Sequence, residues 1–330
     1  MTDLALVADI GGTNARFALT DLGASAATLL QARALRNAEF ASLQHAAEHY
    51  LAEVGCAPRR AAVAVASPIS GDEIRLTNRA WSFNRGELQQ RLGLDELLLL
   101  NDFGAVAWSI PALGDEDRVN LHGPAGAALR GPISVLGPGT GLGVALLLGC
   151  AHGAWQVVET EGGHASFAPL GVEEHQIAHW LNARFGRVSN ERLLCGDGLS
   201  HIDAALRGEG MGPPEGPPIA LRSPAAIVAA ALDAHDRAAR RALARFCAVL
   251  GSVAGDVALM HGARMVMIAG GIVPRFLTFL RASAFRERFL AKGRFAAYLE
   301  NVAIQVITHP HPGLLGAAMA LRAAQVAAAR

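Results

Sequence analysis

Short apolar runs at 4–8 and 16–20 flank Gly11-Gly12-Thr13-Asn14, so the pattern predicts two strands joined by a tight turn. Further strands are expected at 61–66, 73–76 and 97–100. Helical spacing of apolar residues falls at 42–54 and 85–92, and strands alternating with helices read as a mixed α/β domain. The pattern restarts at Ile133, where 133–147 again reads strand, Gly-rich turn, strand. Gly12-Thr13 and Gly139-Thr140 occupy similar places in the two hairpins, which suggests two related domains presenting their turns to a shared cleft. A loop is expected at 208–218, long Ala-rich helices at 225–261, a strand at 265–269 and a helix at 274–283.

Composition narrows the function classes. At 330 residues with 52% hydrophobic content, the chain can build the cores of two domains. Lys+Arg and Asp+Glu both number 29, so no overall positive field draws nucleic acid or an anionic membrane. Cys56, Cys150, Cys195 and Cys247 are widely spaced, which argues against a zinc cluster or a disulfide scaffold and fits a reducing cytoplasm. The most apolar stretch, 144–148, falls far short of the roughly 20 residues of a membrane span, and no secretory leader pattern opens the chain. Lys292 is the only lysine, and neither a P-loop nor a protein-kinase lysine motif surrounds it. Schiff-base chemistry is disfavoured for the same reason.

The two Gly-rich turns expose backbone N–H groups and hydroxyls, which suits oxyanions, although hairpins also use glycine simply for its backbone freedom. A dinucleotide fingerprint fails in 137–144, because Leu142 or Val144 stands where the third glycine belongs. Asp9 either caps its turn or helps hold Mg²⁺ beside phosphates. Asn101-Asp102 ends a strand before a helix, and reads either as an N-cap or as a carboxylate placed to take a hydroxyl proton. Glu161 and His164 flank a glycine pair and suit the paired hydrogen bonds of a sugar; an exposed loop or a zinc ligand pair is the alternative. Gly270-Gly271 would let a base or ribose lie near backbone, or form only a tight turn. His309 and His311 are given no catalytic role.

Taken in order, 9–18, 101–103, 137–144, 161–164, 191–198 and 268–276 resemble the motifs of ATP-dependent bacterial glucokinases. The resemblance implies the actin-like, ribonuclease-H-like ATPase fold. It implies a small α/β domain of 1–110 joined by a C-terminal helix at 313–330, a large α/β domain of 111–312, and an active-site cleft between them. It implies transfer of the ATP γ-phosphoryl group to the 6-hydroxyl of glucose with Mg²⁺. Asp102 would be the general base, and Asn101, Glu161, His164 and Glu191 would hold the sugar. Gly11, Gly12, Thr13, Asn14, Gly139 and Thr140 would hold phosphates, Asp9 would help place the metal, and Gly270 and Gly271 would border the nucleoside. Many relatives are dimers, so a homodimer is allowed. Ala165-Ser166-Phe167-Ala168 replaces the Cys-rich zinc motif of the related repressor and kinase group, so no zinc is expected. Another hexose or amino sugar as acceptor, or a non-catalytic sugar sensor, are the competing readings; no helix-turn-helix segment precedes Val7, which disfavours direct DNA binding.

Overall fold

The computed structural model describes residues 3–67, 69, 71–76, 81–124, 126–149, 154–209, 220–233 and 235–328; most of the loop expected at 208–218, and Cys150, lie outside them. The chain divides into two compact units. The first comprises Met1–Asp117, Leu147–Glu159 and His309–Arg330, and so takes in 111–117 and 147–159 beyond the expected small domain. The second comprises Arg118–Leu146 and Thr160–Thr308.

In the first unit, β1 (Leu4–Ile10), β2 (Asn14–Asp21) and β3 (Leu30–Arg36) form an antiparallel meander. Ser42 caps α1 (Leu43–Val54) by accepting the His45 N–H at 3.3 Å, and Gly55 ends it with φ 63°. Next come β4 (Arg60–Val65), the small pair β5 (Glu73–Arg75) and β6 (Ser82–Asn84), α2 (Arg85–Arg91), β7 (Glu96–Asn101) and α3 (Asp102–Ser109). The sheet order is β3-β2-β1-β4-β7, with β1, β4 and β7 parallel. Ile10 pairs with Val65 and Val65 with Asn101, so the three strands end at one carboxyl edge. The C-terminal helix Pro312–Ala328 covers one face, packing on α3, β1 and β4; Leu314, Ala317, Ala318 and Leu321 join Val7, Ala62 and Ala105 in that core.

The second unit repeats the plan. Its strands are β8 (Arg118–His122), β9 (Ile133–Pro138), β10 (Leu142–Gly149), β11 (Trp155–Thr160), β12 (Met265–Ile268) and β13 (Ala303–Ile307), in the order β11-β10-β9-β12-β13-β8. The last residues of β10, 147–149, and all of β11 except Thr160 count with the first unit, although both strands extend this sheet. β12 runs parallel to β9 and β13, and Ile268 pairs with Leu136, so 137–141 and 269–271 leave the sheet at one edge. Helices α4 (Gly171–Phe185), α5 (Gly196–Leu206), α6 (Pro224–Leu232) and α7 (Arg237–His261) pack over it around Leu243, Phe246, Leu250 and Val253. Among the described residues α7 alone is long and apolar enough to cross a membrane, yet most of that stretch is buried inside the unit, as a core helix requires. The helix expected at 274–283 opens as a 3-10 turn, Val273–Phe276, with Pro274 in its first turn, and becomes α-helical at Leu277–Ala282.

Candidate active site

The first unit gathers two acidic residues at its carboxyl edge, where ligands of parallel sheets collect. The 11–13 turn is closed by Gly11 N–H donating to the Asn14 carbonyl at 3.0 Å, and is held from outside by Asn37. Asn37 Nδ2 donates to the Gly11 carbonyl at 2.8 Å, and its backbone N–H to the Thr13 carbonyl at 3.0 Å. Asp9 is therefore not spent on capping the turn. Its carboxylate faces its cross-strand neighbour Arg16, with Nη1 3.4 Å from Oδ2. The first turn of the C-terminal helix presses on it: a Cβ at Gly313 would lie 2.8 Å from Asp9 Cγ. Burial pushes the Asp9 carboxyl above its ordinary range, with Arg16 pulling the other way. Burial also lowers His311 nearby.

At the end of β7, Asn101 serves as the N-cap of α3. Its Oδ1 accepts the N–H groups of Phe103 at 2.9 Å and Gly104 at 3.3 Å. The capping reading of Asn101 thus holds for its oxygen, and its amide N–H groups are what it can offer a ligand. Asp102 opens the helix, with Oδ1 accepting the Phe103 N–H at 2.8 Å.

In the second unit the 139–141 turn is built from backbone. Gly139 N–H donates to the Gly141 carbonyl at 2.7 Å, and Gly196 N–H, in the first turn of α5, donates to the Gly139 carbonyl at 3.0 Å. The 269–271 segment crosses close beside it. Gly270 has φ 95°, and a Cβ there would lie 2.3 Å from the Pro138 carbonyl oxygen, so only glycine fits. Gly271 faces open space. Thr140 is exposed at the turn's tip.

The carboxylates and imidazole expected to bind sugar converge in this unit. His164 Nε2 lies 3.8 Å from Glu191 Oε1 and 4.0 Å from Glu161 Oε2. Glu161 and His164 side chains are 59% and 56% exposed, so their mutual attraction is weak and both remain open to a ligand. Glu191 Oε2 accepts the Leu142 N–H at 2.9 Å, and a Cβ at Gly141 would meet that oxygen at 2.4 Å. One carboxylate therefore joins His164 to the strand that leaves the 139–141 turn.

The local geometry also depends on residues the sequence reading did not single out. Arg16, Asn37 and Gly313 shape the Asp9 turn, Arg187 Nη2 donates to the His164 carbonyl at 2.6 Å, and Glu159 accepts the Asn101 N–H at 2.9 Å. Arg16 lay inside the Gly-rich motif; the others carry no local signature. Among the described residues, no group of three or more His, Cys, Asp or Glu side chains is arranged to hold a metal ion.

A family model described as Glucokinase matches residues 6–324. The chain is 43% identical over 323 residues to a glucokinase from Tolumonas auensis, covering 98% of each chain. Among solved structures, a glucokinase from an Antarctic psychrotroph superposes with a TM-score of 0.82 at 35% identity, covering 97% of this chain and 99% of that one. A ROK family glucokinase from Streptomyces griseus, in complex with glucose and AMPPNP, superposes at 0.62 with 20% identity, covering 96% and 98%, and shows the shared fold alone. Full-length identity at this level, together with the actin-like ATPase fold, shows that the chain belongs to the glucokinase family of sugar-phosphorylating enzymes.

Proposed function

We propose that the protein transfers the γ-phosphoryl group of ATP to the 6-hydroxyl of glucose, with Asp102 as general base. The observation that carries this reading is the corner at Asn101-Asp102, where a parallel strand delivers a carboxylate onto a capped helix N-terminus in a chain that matches its family from 6 to 324. As the sugar oxygen attacks phosphorus, Asp102 takes its proton, the new O–P bond forms, and the bond to the ADP oxygen breaks. Glu161, His164 and Glu191, with the amide of Asn101, hold the remaining sugar hydroxyls. The turns at Gly11 to Asn14 and at Gly139-Thr140 hold phosphates through Thr13 and Thr140, since the Gly11 and Gly139 N–H groups close the turns themselves, and Gly270-Gly271 leaves room for the nucleoside. Lys292, the only lysine, is held in an ion pair with Asp256 and lies outside this set.

Asp9 supplies one partly buried carboxylate with Arg16 as its recorded ion-pair partner, which fits Mg²⁺ bound mostly through substrate phosphates and water rather than in a protein cage. Bound there, the ion would neutralise phosphate charge. Asp9 would anchor it, and Arg16 would keep Asp9 in place without it. A cytoplasmic setting suits the reaction, and Cys56, Cys195 and Cys247 carry free thiols.

A coupled assay of ADP release, over a panel of hexoses and amino sugars with ATP, GTP and polyphosphate as donors, tests this reading. Turnover is expected to be fastest with glucose and ATP. Faster turnover of another sugar would reassign the acceptor, and sugar binding without ADP release would make the protein a sensor.

A further inference from the structure

The corner that carries Asp102 is held by a residue distant in sequence. Glu159, near the end of β11, places Oε1 2.9 Å from the Asn101 backbone nitrogen, across 58 residues of chain. The contact is built into the packing. A Cβ at residue 104 would lie 2.3 Å from Glu159 Oε1, 2.7 Å from its Cγ and 2.9 Å from its Cδ, so the side chain lies against the first turn of α3 in space that only glycine leaves. The Asn101 side chain is already committed to Phe103 and Gly104, so its own N–H needs an acceptor from outside the helix. Glu159 provides it with a charge-assisted bond.

We propose that Glu159 is a positioning residue for phosphoryl transfer: by gripping the Asn101 N–H it fixes the strand-to-helix corner, and so the direction in which Asp102 presents its carboxylate to the acceptor hydroxyl. Gly104 is the second half of the device, because it gives Glu159 its seat. Proton abstraction needs the carboxylate within hydrogen-bond reach of one hydroxyl, and a displacement of about 1 Å can cost about 100-fold in rate. The effect falls on kcat through Asp102 and, because Asn101 belongs to the proposed sugar set, secondarily on the KM for glucose, while the KM for ATP is left unchanged. This inference rests on Asp102 being the base.

The test measures kcat and both KM values for Glu159→Ala, Glu159→Gln, Gly104→Ala and the Gly104→Ala/Glu159→Ala double variant, with thermal melting of each. Glu159→Ala is expected to lower kcat by about 10- to 100-fold while leaving the KM for ATP within about twofold. Glu159→Gln keeps a carbonyl oxygen at the same place and restores most of the rate. Gly104→Ala displaces the carboxylate and loses rate to a similar extent. In the double variant the second change adds little, since the group it would displace is gone. An unchanged kcat in Glu159→Ala, or full additivity in the double variant, overturns the proposal. A fall in kcat that tracks melting temperature across the set and is not rescued by Gln also overturns it, in favour of a general folding role. Asp102→Asn, assayed alongside, separates the two readings: near-native turnover there removes the base itself, whereas lost turnover there with native kcat in Glu159→Ala removes only the positioning role.

Discussion

The two units share a strand plan, three sequential strands beside parallel ones, yet they equip their hairpin turns differently. In the first, the residue three before Gly12-Thr13 is Asp9, a carboxylate burdened by burial; the matching place before Gly139-Thr140 is Leu136, fully buried in apolar core. The first unit thus carries acidic side chains at Asp9 and Asp102. The second carries the Glu161, His164 and Glu191 cluster and a turn made almost wholly of backbone; under the proposed function the first set serves the chemistry and the second the choice of sugar.

Under that assignment, replacing the acid at 102 lowers kcat, whereas replacing the carboxylates of the second unit weakens glucose binding. The largest effect should come from Asp102→Asn, which removes the proton acceptor and lowers kcat by about 10² to 10⁴-fold in the coupled assay. Glu161→Ala comes next, raising the KM for glucose by about 10- to 100-fold through lost charge-assisted hydrogen bonds while the KM for ATP stays nearly constant. Equal losses for both substrates would break the assignment.

Gly141→Ala sharpens it. The new methyl meets Glu191 Oε2, so Glu191 must release the Leu142 N–H or turn away from His164. Calorimetric titration should show about 10-fold weaker glucose binding, with a smaller loss for nucleotide because the turn beside it is disturbed too. An effect confined to nucleotide would place Glu191 outside the sugar set.

The smallest effect is on stability. Because burial raises the Asp9 carboxyl in the folded protein, folded chains keep its proton to higher pH than unfolded ones. The contribution of this group to stability therefore falls as pH rises from the ordinary value of 3.8 through the raised one, and stays low at neutrality. Asp9→Asn escapes that loss, so its melting temperature near pH 7 should exceed that of the native protein, and the difference should shrink towards acid pH. A variant less stable at pH 7 would mean that the Arg16 pair outweighs the burial cost.

Much of this arrangement was legible in the sequence because it is local. The hairpins at 4–20 and 133–147 announce themselves by apolar runs around clustered glycines, and Asn101-Asp102 by its place after four leucines. Strand β3 was not legible, since Leu30–Arg36 is an edge strand with no buried residue to set a period. Nor was β11, whose half-exposed pattern gives no core face. Glu159 could not be found from sequence because its partner is a backbone N–H 58 residues away, and only the folded path of β11 brings them together. Asn37 was hidden for the same reason: it is buried, but what it holds is the backbone of a turn 26 residues earlier.

If Asp102 serves proton transfer while Glu161, His164 and Glu191 serve sugar recognition, an equilibrium glucose titration of Asp102→Asn separates the two roles. The account predicts a dissociation constant within a few-fold of the native value in a protein that has lost its turnover. Loss of glucose binding in step with turnover, in a variant whose melting temperature is native, would contradict it.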